Sequence, residues 1–123
     1  MGPGGFQEAP FSLKGKVVAG TYHVQCDSII IAPVDVTFSL IWRTKSGDDT
    51  VLATWMQHFD PLPGGAFDAQ PYELDVDAGA IDYKGGDQFI FKYEGANTTS
   101  QEAFIPNGDG KQTGGRIPQI TLP

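Results

Sequence analysis

Apolar and polar residues alternate with a period of two along much of the chain. No window shows the three- and four-residue spacing of an amphipathic helix over three turns. The clearest alternation spans residues 34–44, where one phase is apolar: Val34, Val36, Phe38, Leu40 and Trp42. Successive side chains of a strand point to opposite faces, so this segment is predicted to be a half-buried strand with Trp42 inward.

Further strands follow from the same pattern. They are predicted at 50–59, 71–78 and 87–94, and shorter ones near 11–19, 21–32, 101–105 and 117–122. Ser-Gly-Asp-Asp at 46–49 has the composition of a turn, so 34–44 and 50–59 are predicted to form a hairpin. In 71–78 the inward residues are Tyr72, Leu74 and Val76, and in 87–94 they are the aromatic residues of the alternation.

The segment 21–32 departs from strict alternation. Its apolar phase slips from Val24 and Cys26 to Ile29 and Ile31. An extra residue in one strand produces such a slip, so a β-bulge is predicted near positions 27–28.

Gly and Pro interrupt the pattern often enough to exclude long elements, with sixteen Gly and nine Pro in 123 residues. About eight short strands separated by such loops predict an all-β fold: an antiparallel two-sheet β-sandwich, jelly-roll-like. The length fits one domain. We expect residues 1–10 to form a flexible N-terminal arm and residues 11–123 to form a single β-sandwich domain.

The charge balance narrows the range of partners. Eight Lys and Arg stand against fifteen Asp and Glu, a formal net charge of −7. Nucleic-acid-binding surfaces are normally basic, so nucleic acid is not expected as a partner. No apolar run is long enough to span a bilayer, and the first residues lack the pattern of a signal peptide, so membrane insertion is not expected.

A catalytic constellation is not evident in the sequence. Nucleophilic catalysis requires a nucleophile beside a base that a third group orients. The conventional bases are His23 and His58, and the single thiol is Cys26. His23 and Cys26 are three residues apart, an offset that puts them on opposite faces of a strand. The protein is therefore predicted not to be an enzyme.

Two Asp-containing loops are candidate calcium sites. Asn107 and Asp109 lie in an Asn-Gly-Asp-Gly sequence, and Asp48 and Asp49 are adjacent in the predicted hairpin turn. Calcium binds clustered oxygen ligands, but the same residues are also typical of turns. The sequence leaves open whether the protein has no cofactor or binds calcium.

Aromatic residues in loops suggest a ligand class. Pyranose rings pack their CH faces on aromatic side chains, while loop Asp and Asn bind hydroxyl groups. Phe67 and Tyr83 are the candidate platforms, and Asn107 and Asp109 are the candidate polar ligand-binding residues.

Two functional hypotheses follow. The first is a non-enzymatic, lectin-like module that binds carbohydrate or a surface protein and belongs to an exported or cell-surface protein. The alternative is a structural or self-assembling subunit of a coat, spike or fibre, in which the mixed apolar faces of 50–59 form a contact between copies. A homo-oligomer is compatible with both.

Overall fold

Strands dominate a computed structural model of the chain, which describes residues 6–65, 70–96, 104–106 and 119–123. In chain order the strands are β1 Phe6–Ser12, β2 Gly20–Ile30, β3 Val34–Arg43, β4 Asp49–Phe59, β5 Gln70–Ala78, β6 Gln88–Ala96, β7 Phe104–Pro106 and β8 Gln119–Thr121. A short 3-10 turn, Pro63–Gly65, lies between β4 and β5. The predicted all-β class is confirmed.

The strands form two antiparallel sheets. Sheet I has the order β1-β6-β3-β4, and sheet II has the order β5-β2-β7, with β8 also paired to β2. Strands β3 and β4 form the predicted hairpin, whereas β1 and β2, β2 and β3, β4 and β5, and β5 and β6 lie in different sheets. The chain is thus a β-sandwich, as predicted, and the more specific jelly-roll connectivity stays a prediction.

The core lies between the two sheets and is rich in aromatic rings. Phe38 of β3 is fully buried. Its ring stacks on Tyr72 of sheet II at 5.1 Å between centroids and on Phe91 of sheet I at 5.7 Å. Trp55 of β4 stacks on the same ring and donates its indole N–H to the Tyr72 hydroxyl at 2.9 Å. The alternation in β3, β5 and β6 therefore predicted the inward phase correctly, although Leu74 of β5, also predicted inward, is 37% exposed.

The bulge predicted in β2 is wrong. This strand keeps one unbroken register with β5 through Ser28 and continues with β7 from Ser28 to Ile30. Cys26, Ser28 and Ile30 are all buried in one phase. The polar Ser28 occupies a core-facing position, and this made the apolar phase look shifted.

A register shift occurs instead where β3 pairs with β4, between Leu40 and Ile41. Leu40 pairs with Ala53 and Ile41 pairs with Val51, so Leu52 is the extra residue of a bulge. Leu52 packs against the core and Val51 is exposed.

The N-terminal strand begins earlier than predicted. Residues 6–10, assigned to a flexible arm from the sequence, lie in β1, whereas the predicted strand at 11–19 contributes only its first two residues and an isolated bridge from Val17 to Ile81. Ala9 faces Phe91, and its small size hides the alternation. Pro10 is tolerated because β1 is an edge strand. Residues 1–5 lie outside the described part of the chain.

Candidate functional site

Two loops meet at one end of the sandwich. Arg43, at the end of β3, pairs with Gln88, at the start of β6, so the turn after β3 lies beside the segment that precedes β6. Between them is an open cleft of about 450 Å³. Its lining residues are Thr44, Lys45, Ser46, Asp48, Lys84, Gly85 and Asp87.

Hydrogen bonds fix the polar groups of the first loop. The Thr44 N–H donates to the Asp48 carbonyl at 2.9 Å, and the Asp48 N–H donates to the Thr44 hydroxyl at 3.1 Å. The Ser46 hydroxyl donates to the Asp48 carboxylate at 3.2 Å. Gly47 has φ +96°, a backbone conformation that favours glycine. Two hydroxyl groups and one carboxylate are therefore held along one side of the cleft.

Asp87 is the most unusual residue of the cleft, because its side chain is only 1% exposed. Its Oδ2 accepts hydrogen bonds from the Trp42 indole N–H at 2.8 Å and from the Lys84 backbone N–H at 2.9 Å. Its Oδ1 is buried and has no hydrogen-bond partner within the described part of the chain. A buried carboxylate oxygen without a donor is costly, and such groups mark places where a water, an ion or a ligand binds.

The second loop approaches the first closely. A Cβ added to Gly86 would lie 2.9 Å from Cδ of Lys45, so the aliphatic stem of Lys45 lies directly against this glycine. Gly86 also has φ +73°. Lys84 directs its ammonium group to Asp82 at 2.7 Å. Glycine at position 86 thus allows Lys45 to close one wall of the cleft.

The structure brings two of the predicted site residues to this end of the molecule. Asp48 lines the cleft. Tyr83 is half-buried beside it, and its hydroxyl accepts the Gly86 N–H at 3.1 Å. Phe67, Asn107 and Asp109, also predicted from the sequence, lie outside the described residues.

Asp49, the second predicted calcium ligand of the turn, has a different environment from Asp48. Both of its carboxylate oxygens accept hydrogen bonds from Arg43, at 2.7 and 3.0 Å. Arg43 also binds both carboxylate oxygens of Glu8, at 2.9 Å each. Hydrogen bonding to this guanidinium lowers the pKa of Glu8 and of Asp49. Asp49 therefore contributes to an ion-paired cluster that links three strands of sheet I.

Both histidines lie on outer faces, each between two carboxylates. His58 Nδ1 is 2.7 Å from Asp35, and its Nε2 is 3.0 Å from Asp60. His23 Nδ1 is 2.7 Å from Asp75, and its Nε2 is 3.5 Å from Glu73. The hydrogen bonds to Asp35 and then Asp60 raise the pKa of His58, and the hydrogen bond to Asp75 is the main cause that raises the pKa of His23.

Among the described residues, no group of three or more His, Cys, Asp or Glu is arranged to hold a metal ion. That part of the chain also contains no helix with the length and hydrophobicity needed to cross a bilayer.

No protein-family model matches this chain, and a comparison with curated proteins gives no significant match. The interpretation of the cleft therefore depends on its own geometry.

Sequence reasoning missed five side chains of the cleft: Thr44, Lys45, Ser46, Lys84 and Asp87. A signal for Asp87 was present. It lies two residues before Phe89 and so shares the inward phase of Phe89, Phe91 and Tyr93. A carboxylate in the core-facing phase of a strand must be buried, and a buried carboxylate needs partners. The two lysines carry no comparable signal, because exposed lysines in loops are common.

Proposed function

We propose that the protein is a non-enzymatic binding module and that its cleft binds a carbohydrate. The observation that carries this proposal is the buried carboxylate of Asp87, which has two donors on Oδ2 and no described donor on Oδ1. A hydroxyl group of the ligand supplies the missing donor. Since Oδ1 has almost no exposed surface, binding requires a local rearrangement that exposes this oxygen to the ligand.

The composition of the cleft supports a neutral, hydroxyl-rich ligand. Its charged lining residues are two lysines, Lys45 and Lys84, and two aspartates, Asp48 and Asp87, so neither sign of charge dominates. Thr44 and Ser46 add hydroxyl groups that both donate and accept. Sugars present donors and acceptors on the same hydroxyl groups, and such a mixed lining matches them better than it matches a phosphate or an ammonium ligand.

Tyr83 completes the proposed site. It is half-buried at the border of the cleft, and its hydroxyl bond to the Gly86 N–H fixes the position of its ring. A pyranose bound to the polar groups of the cleft can then rest a CH face on this ring. Phe67 remains a second candidate platform.

Calcium and location are further parts of the proposal. Within the turn, Asp48 is the better candidate ligand, because both carboxylate oxygens of Asp49 are engaged by Arg43. Asn107 and Asp109 form the other candidate calcium site. An exported or cell-surface protein is the setting in which a carbohydrate-binding module of this kind meets its ligands.

A glycan-array screen with and without calcium, repeated with a chelator, tests the proposal. Asp87→Asn keeps an acceptor for Trp42 but removes the negative charge, and we expect it to weaken binding about 10- to 100-fold. Asp77→Asn is the matched control, since Asp77 is exposed on the outer face of sheet II. Equal binding by Asp87→Asn and wild type would contradict the site, and loss of binding with chelator would add calcium to it.

A self-assembling subunit is the second candidate function. The observation that favours it is the exposure of Val51 and Met56 on the outer face of β4, an edge strand of sheet I. Exposed apolar groups of this size are typical of contact surfaces when they lie together.

A further inference from the structure

His58 lies between two carboxylates that belong to different parts of the chain. Its Nδ1 is 2.7 Å from Asp35 on β3, and its Nε2 is 3.0 Å from Asp60, the first residue after β4. Asp35 and His58 are paired directly across the β3–β4 ladder. Asp60 begins the β4–β5 connection, of which the structure describes residues 60–65. One imidazole therefore links sheet I to this connection.

The geometry requires a protonated ring. A carboxylate can only accept a hydrogen bond, and a neutral imidazole has one N–H group and one lone pair. Both contacts of His58 are therefore hydrogen bonds only when both ring nitrogens carry a proton. The bonds to Asp35 and then Asp60 raise the pKa of His58 accordingly. In the neutral ring one nitrogen presents its lone pair to a carboxylate, and that contact must open.

The contact with Asp60 is the one that opens. The side chain of Asp35 is 20% exposed and lies on a strand that pairs on both sides, whereas that of Asp60 is 69% exposed. The bond to Asp35 is also the shorter of the two. The neutral ring therefore keeps its proton on Nδ1 and loses its bond to Asp60.

Two side chains hold the start of the β4–β5 connection. His58 binds the Asp60 carboxylate, and the Gln70 side-chain amide at the start of β5 donates to the Asp60 carbonyl at 3.0 Å. Phe59, the last residue of β4, packs its ring against Phe38 and Tyr72. Loss of the His58 bond therefore leaves β4 in place and leaves Gln70 to hold the connection.

His23 provides an internal comparison. It also lies between two carboxylates, with Nδ1 2.7 Å from Asp75 and Nε2 3.5 Å from Glu73. Both of these partners lie on β5, which is paired with β2 along its length. Deprotonation of His23 therefore frees a side chain but no segment of backbone.

We propose that His58 is a pH switch that holds the β4–β5 connection against sheet I when protonated and releases it when neutral. Asp35 is the charged group that β3 sets against this ring and Asp60 is that of the connection, while β5 contributes the neutral Gln70 to the same cluster. Asp35 and Arg43 lie near opposite ends of β3, so the switch is distant from the cleft and does not depend on a ligand there.

NMR relaxation of the ¹⁵N-labelled protein tests the switch. The heteronuclear NOE of the Leu62 and Gly64 amides reports fast backbone motion, and the ring protons of His58 report its protonation. We expect the NOE to fall between about pH 5 and about pH 8, with the midpoint of the His58 titration. The released fraction should rise about two- to fivefold, the range that an exposed ion pair allows. The β5 amides beside His23 should keep their NOE.

Matched variants separate release from a simple change of charge. The amide of Asp60→Asn can donate to the neutral ring or accept from the charged one, so the NOE of the connection should no longer depend on pH. His58→Gln should keep the NOE at its high-pH value throughout. Asp75→Asn makes the same change beside His23 and should leave the response intact. A wild-type NOE that is equal at both pH values, or a fall that persists in Asp60→Asn, would overturn the proposal.

Discussion

The two tryptophans of the β3–β4 hairpin show how one kind of hydrogen bond serves two different regions. Trp55 donates its indole N–H to the Tyr72 hydroxyl, and Trp42 donates to the Asp87 carboxylate. The first bond joins neutral groups in the aromatic core around Phe38. The second holds a buried carboxylate that still lacks a donor on Oδ1 within the described residues. The Trp55–Tyr72 bond satisfies both of its groups within the aromatic core, whereas the cleft contains an acceptor that a ligand can satisfy.

The largest expected effect lies in the core. Phe38→Ala removes a fully buried ring that contacts aromatic side chains of both sheets. We expect a loss of about 3–5 kcal/mol in the free energy of unfolding, measured by urea denaturation. Lys45→Ala in the cleft is the comparison, and its effect should stay within about 0.5 kcal/mol. Similar losses for the two variants would remove the distinction between a structural core and a binding cleft.

The two indole hydrogen bonds should differ in energy. Trp42→Phe removes a donor from a buried charge and should cost about 1.5–3 kcal/mol, whereas Trp55→Phe removes a neutral bond and should cost about 0.5–1.5 kcal/mol. Both substitutions keep an aromatic ring, so loss of packing is similar. Equal losses in urea denaturation would mean that Asp87 does not depend on Trp42.

A smaller effect tests the close contact between the two loops of the cleft. Gly86→Ala adds a Cβ at φ +73° and 2.9 Å from the Lys45 side chain, so we expect a loss of about 1–2 kcal/mol. Gly47→Ala, at φ +96° with no atom within 4 Å of its Cβ, should show the backbone cost alone. Thermal melts of both variants, each combined with Lys45→Ala, check this. Adding Lys45→Ala should reduce the loss of stability caused by Gly86→Ala. It should leave the loss caused by Gly47→Ala unchanged.

Above neutral pH, the pH dependence of stability should come from the two histidines on the outer faces. It should therefore leave the difference in stability between Trp42→Phe and Trp55→Phe unchanged. Partner carboxylates raise the pKa of His23 and His58 in the folded protein. Their stabilisation is fully present below the unfolded pKa, about 6.5, and is lost as the pH rises through the higher folded values. The melting temperature should fall over this range, less steeply in His58→Gln, and in parallel for wild type, Trp42→Phe and Trp55→Phe.

Lowering the pH should also destabilise the protein, through the ion pairs of Arg43 in sheet I. Arg43 lowers the pKa of Glu8 and Asp49. Their contribution is present above the unfolded pKa values and is lost as the pH falls through the lower folded values. Melting curves of Arg43→Gln should show less loss of stability in acid than those of wild type. An unchanged acid transition would mean that other groups control it.

The sequence predicted the regular parts of the fold because side-chain alternation reports directly which face is buried. It identified the inward phase of β3, β5 and β6, apart from the exposure of Leu74, and the turn between β3 and β4. It failed where a residue type did not match its face, as at the buried Ser28, or where a small residue such as Ala9 concealed the phase. Strand order could not be derived, since pairing between distant segments leaves no local pattern.

The candidate site was predictable only in part. Asp48 and Tyr83 were found because turn-forming and aromatic residues in loops are visible in one segment. The cleft itself requires the β3–β4 loop and the β5–β6 loop, which are far apart in the sequence, and their contact at Gly86 and Lys45 is a property of the folded chain. Asp87 could have been found because it precedes β6 in the inward phase of Phe89, but its partner Trp42 could not.

The most direct test of the carbohydrate site is an NMR titration that follows the two indole N–H resonances. Trp42 reports on Asp87 in the cleft, and Trp55 reports on the core as an internal control. With a panel of methyl glycosides at millimolar concentrations, at least one should shift the Trp42 resonance in a saturable manner, leave the Trp55 resonance in place, and lose its effect in Asp87→Asn. If no glycoside moves the Trp42 resonance, or if both resonances move together, the cleft is not a carbohydrate site.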